Sequence, residues 1–169
     1  MPDNESTPLR SDPDGYKVLT KAVSELLNAY PGLEGTGLDD GYGDVIPFEK
    51  LAENGITFSA SNGALVMTER RSITDYVKQK CRFPFFVVFR TSTKDSGMKL
   101  YVQTFLDTLG KWLCKEPTEY ENAVYPALSD GRKITRVTRD NSYGVEPDPS
   151  GYQDWLLPVT IEYTNEFQL

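Results

Sequence analysis

The sequence predicts an α+β fold: a mostly antiparallel sheet with helices packed on one face and a long C-terminal hairpin. Three observations carry this reading. From Val77 to Phe89 the residues Val77, Gln79, Cys81, Phe83, Phe85, Val87 and Phe89 alternate with Lys78, Lys80, Arg82, Pro84, Phe86 and Val88, a period of two with one nearly pure apolar face. The period then changes, and Val102, Phe105, Leu106, Leu109, Trp112 and Leu113 fall on one stripe of a helix. Near the end, Trp155, Leu157, Val159, Ile161 and Tyr163 again alternate with Leu156, Pro158, Thr160 and Glu162.

Taken in order, residues 1–15 hold three prolines, three aspartates and a glutamate, and read as a flexible acidic lead before a single domain over 16–169. Tyr16 to Tyr30 is the first predicted helix. Its stripe is Val18, Leu19, Ala22, Val23, Leu26, Leu27 and Tyr30; Asp14 or Gly15 begins it and Pro31-Gly32 ends it. Pro31 to Asp44 is glycine-rich and acidic, and reads as a loop. Gly35-Thr36-Gly37 opens a dinucleotide-like spacing, but Asp40 stands where the third glycine belongs and no lysine follows to meet a phosphate. The aspartate spacing is also wrong for an EF-hand. Short strands are expected within Val45 to Phe58, around the Asn54-Gly55 turn, and another over Ala64 to Arg71. Ser72 to Tyr76 connects to the long strand, and Thr91 to Gly97 is a polar loop before the second helix. Glu116 to Asp130 is irregular. Lys133 to Asp140 and Asp154 to Tyr163 should pair as a hairpin. Their connection, Asn141 to Gln153, is longer than hairpin loops usually are. Pro158 cannot donate to a ladder, so its strand is either at an edge or free on that side.

Composition narrows the chemistry. The chain of 169 residues is long enough to bury a core without disulfides or metals. Its net charge of −7 argues against a general nucleic-acid binder. With no histidine, the usual neutral-pH base and the commonest zinc ligand are missing. Cys81 and Cys114 have no Cys-x-x-Cys spacing and read as reduced thiols in or near the core. The longest apolar run, Phe85 to Phe89, is too short to span a membrane, and no secretory signal is visible, so folding in a cytoplasm is expected. No cofactor or metal is expected.

The landmarks ENGITFSAS, RRSITDYVKQKCRFPFFVVFRTS, LYVQTFLDTLGKWL and GYQDWLLPVTIEY, in this order, resemble the small minor capsid and tail-completion proteins of tailed bacteriophages. The likeness is greatest to tail terminators of long-tailed phages of Gram-positive bacteria, over Tyr16 to Phe167. The resemblance implies a structural virion protein without catalytic residues. It would form a ring, a hexamer in that family, on the head-proximal end of the tail tube. The ring would stop tube polymerisation and meet the head-completion protein, and DNA would pass through without specific binding. A neighbouring head–tail connector component is the alternative. Two rivals come from the residues: a carboxylate or metal-dependent enzyme using Asp39, Asp40 and Asp44 with Tyr42, and an acidic mimic of DNA. Candidate partner-contact residues are Tyr143, Val145 and Tyr152 in the long connection, and Phe86 and Val88 on the second face of the long strand.

Overall fold

A computed structural model describes residues 7–33, 55–92 and 96–169. The acidic segment with Asp39, Asp40 and Asp44, the first part of the Val45–Phe58 stretch and residues 93–95 lie outside the described residues. The fold is α+β, with an antiparallel seven-stranded sheet. Its elements are β1 (Arg10–Ser11), α1 (Pro13–Asn28), a short 3-10 turn (Pro31–Leu33), β2 (Ile56–Ala60), β3 (Leu65–Arg71), β4 (Tyr76–Ser92), α2 (Ser96–Leu113), β5 (Arg132–Arg139), β6 (Tyr143–Gly144) and β7 (Tyr152–Gln168).

The centre is a two-stranded ribbon. The 17 residues of β4 pair with the 17 of β7, from Tyr76 opposite Gln168 to Ser92 opposite Tyr152. Each ribbon strand has two successive neighbours on its outer side. β3 and then β2 flank β4; β5 and then β6 flank β7. The prolines mark these changeovers. The carbonyl of Pro158 accepts from Asp140 N at 3.0 Å, so its absent N–H also faces the gap between β5 and β6. Pro84 does the same on the other strand: its carbonyl accepts from Ser61 N at 3.1 Å, between β2 and β3. Of the two expectations for Pro158, the edge placement is wrong and the free side is right, because β7 lies inside the sheet.

Both helices pack on the face of β4 that carries Cys81, Phe83, Phe85, Val87 and Phe89. The predicted stripe of α2 is buried throughout. Phe105 meets Phe89 with ring centroids 5.3 Å apart, edge to face. Trp112 is buried as expected, but its ring neighbour is Tyr30 at the end of α1, at 5.1 Å, and its Nε1–H donates to Glu121 O at 3.0 Å. It therefore ties α2 to α1 and to the segment after α2. Phe105 makes the ring contact with the strand.

Helix α1 starts earlier than the stripe suggested. Asp12 is its N-cap, accepting from Gly15 N, and Pro13 occupies the first turn. Arg10 and Ser11 pair with Val66 and Leu65 of β3. The domain boundary at Tyr16 is therefore too late, and the fold takes in residues assigned to the lead. Cys81 is buried and Cys114 half-buried, both free. Burial, followed by the negative charge of Asp12, pushes the Cys81 thiol up to about 11.

Candidate functional site

Directly opposed residues on neighbouring strands share a face of the sheet. Val88 lies opposite Leu156, and Leu156 lies opposite Tyr143; Phe86 lies opposite Pro158. Tyr152 lies opposite Ser92. Gly144 pairs with Trp155, whose side chain is on the helix face, so Val145 returns to the outer face beside Asp154. All five candidate contact residues, drawn from two separate segments, thus stand on the face away from the helices. Their accessibility differs. Tyr143, Val145 and Tyr152 are 45%, 41% and 37% exposed, whereas Val88 is 3% exposed and Phe86 is half-buried. Val88 is therefore an interior residue of the domain, not an available contact group.

The connection from Asn141 to Gln153, expected as a long hairpin loop, is itself folded back on β7 as a small hairpin. Val145 N donates to Asp154 O at 2.9 Å, and Asp148 N donates to Tyr152 O at 2.8 Å. Gly151 closes the tip at φ 91°, where a side chain would be strained. Hydrogen bonds from Ser150 hold the Asp148 carboxyl below its ordinary value. At the base, Arg90 grips Asp154 through two bonds of 2.8 and 3.1 Å. Gly144 admits the ring of Trp155, which a Cβ would meet at 3.2 Å. Trp155 Nε1 and Gln153 Oε1 are buried here without a hydrogen-bond partner among the described residues.

The outer face is divided. Around the hairpin end it carries Phe86, Val88, Leu156, Pro158, Tyr143, Val145 and Tyr152; toward the other end it carries Lys78, Lys80, Arg82, Glu162 and Glu166. Lys78 pairs with Glu166 at 3.3 Å, and Tyr76 donates to Glu166 at 2.6 Å. The outer face is thus apolar and aromatic at the hairpin end and charged toward the other.

A buried polar cluster went unseen in the sequence. Arg132, at the start of β5, donates to both carboxylate oxygens of Asp12 at 3.2 and 2.7 Å. The hydroxyl of Tyr163 donates to the same carboxylate at 2.8 Å. Gly15 is required beside it, since a Cβ there would come within 2.1 Å of Asp12 Oδ2. Burial alone would raise the Asp12 carboxyl, but the bonds from Arg132, Tyr163 and Gly15 N outweigh it and hold the carboxyl below its usual value. Burial and the bond to Asp12 push the Tyr163 hydroxyl far up. This cluster has the form of a structural clamp: each polar group is spent on another. The one local signal was Asp12-Pro13, an N-cap followed by proline at the first helical position.

Among the described residues no group of three or more His, Cys, Asp or Glu side chains is placed to hold a metal ion. Asp39, Asp40, Asp44 and Tyr42 lie outside the described residues. No helix among the described residues is long and apolar enough to cross a membrane. Compared with known protein families and with characterised proteins, the chain matches none.

Proposed function

We propose that this chain is a structural subunit of a tailed-phage virion, acting at the head–tail junction. Copies of it form a ring, six-membered in the family it resembles, on the end of the tail tube. The ring ends tube polymerisation and offers a surface to a head-completion protein, while DNA passes through the opening. The observation that carries this reading is the division of the sheet. One face is closed by both helices, while the other gathers exposed Tyr143, Val145 and Tyr152 beside half-buried Phe86, Leu156 and Pro158 at the hairpin end. Aromatic groups on a rigid strand scaffold suit a repeated subunit contact. The net charge of −7 suits a conduit that does not hold phosphates.

The test is negative-stain imaging of the purified protein, alone and mixed with a tail-tube protein of a long-tailed phage of a Gram-positive bacterium, with sedimentation to give the mass. Rings that cap tubes are the expected result. A protein that stays monomeric at every concentration and leaves tube length unchanged refutes the reading.

A further inference from the structure

The outer strand β5 reads Arg-Lys-Ile-Thr-Arg-Val-Thr-Arg, four cations and no acid, in a chain of net charge −7. It is the last strand of the sheet and pairs only with β7, so its other edge is open among the described residues. Two of its cations are already engaged. Arg132 is bound to Asp12, and Arg139 lies 3.1 Å from Glu116. Lys133 and Arg136 are exposed and form no ion pair among the described residues. Beside this edge runs an open groove of about 580 Å³, lined by residues 135–139 and by Cys114, Lys115, Glu116 and Tyr125. Lys115 stands over the Tyr125 ring at 4.2 Å, which adds a third cation at the groove.

The hairpin tip has the opposite character. Residues 145–153 contain Glu146 and Asp148 and no lysine or arginine. Glu146 is exposed and has no ion-pair partner among the described residues. Its neighbours Val145 and Tyr152 are exposed apolar groups of the sort an interface buries. The tip does not reach its own groove. Arg139 is opposite Val159, and the strand from there to Gly151 runs about 26 Å at ~3.3 Å per residue, away from β5.

We infer that the hairpin tip of one copy docks on the β5 edge and groove of the next, with Glu146 set against Arg136 and its neighbouring cations. Two different patches on each subunit then meet in a head-to-tail contact, and such a contact closes into a ring when its rotation divides a full turn. The acidic tip and basic edge set direction and register, since the reverse pairings place like charges together. This rests on the ring reading above and specifies the surfaces that build it.

The experiment is a charge exchange. Arg136→Glu and Glu146→Arg are made singly and together, and association of the full chain is measured by sedimentation at several salt concentrations. Both positions are exposed, and thermal melting checks that each variant folds. Each single variant should associate at least about tenfold more weakly than the parent, through like-charge contact, and the double variant should recover most of the loss. Association of the parent should also weaken as salt screens the contact. A parent that assembles and is indifferent to all three exchanges overturns this docking while leaving the ring reading standing. A parent that never assembles overturns both. Should a single variant melt early, Lys133→Glu paired with Glu146→Arg repeats the exchange on the same edge.

Discussion

Two side chains show how much of this fold rests on single contacts. Trp112 fills the space between α2 and the end of α1 and is 4% exposed. Trp112→Ala should cost about 3–5 kcal/mol in urea unfolding, the range for a buried large aromatic. A loss below about 1 kcal/mol would mean that the two helices are not held together there. Asp12 is the second case. Removing it leaves the Arg132 guanidinium buried without its partner, so Asp12→Ala should cost about 3–5 kcal/mol. Its pH signature has a definite sign. The folded-state carboxyl titrates below its ordinary value of 3.8, so its contribution is complete above that value and is lost as pH falls through the lowered one. Acid titration of stability should therefore be steeper near and below pH 3.8 in the parent than in an Asp12→Asn variant. Equal slopes would remove the carboxylate from the clamp.

At the level of elements, the hairpin is the part whose loss the rest of the fold should survive. Residues 141–153 touch the sheet through the two residues of β6, the tip bonds and the first two residues of β7, Tyr152 and Gln153 opposite Ser92 and Thr91, while β5 and the rest of the β4–β7 ribbon keep their pairings. Replacing 141–153 by a short glycine-containing turn should shift the melting temperature by only a few degrees yet abolish ring formation, read by sedimentation. Retained rings that still cap tubes would make the hairpin a spacer. How far these elements were legible follows from their length. The stripes of α1 and α2 and the alternation of β4 and β7 are repeated along contiguous residues, so periodicity finds them. β1 and β6 are two residues each and carry no period at all. The Asp12 clamp was invisible for another reason: its partners lie 120 and 151 positions away, and no local pattern links them. Of the candidate contact residues, Tyr143, Val145 and Tyr152 were legible as aromatic and apolar groups on a connection, and Phe86 and Val88 as apolar groups on the second face of a strand. That the hairpin and the outer face of β4 form one surface required the register, which places Tyr143 beyond Leu156 and Val88. The 3% exposure of Val88, not its register, showed it to be interior.

For the whole molecule, stability should not depend on a bound metal ion. EDTA is expected to leave the melting temperature unchanged; a drop of several degrees that one divalent metal reverses would point back to Asp39, Asp40 and Asp44. The central ribbon carries one more consequence, for the order in which the chain can fold. Its strands are far apart in sequence: even at their nearest junction Ser92 meets Tyr152, and at the far end Tyr76 meets Gln168. Every other strand of the sheet except β1, which pairs with β3, is hung on one or other of these two strands. α1, β3 and α2 can meet β4 before β7 is made, but β5 has no partner strand, and one edge of β4 has none, until β7 has arrived. Non-local pairing of this kind makes folding slow, on the order of milliseconds to seconds. The clamp on Asp12, unlike its local cap bond from Gly15 N, is then among the last contacts made, because Arg132 and Tyr163 must already be held by the sheet before they can close on it. A nascent chain must therefore carry α1 unlatched until β7 has been made, and the latch closes only when that strand joins the sheet.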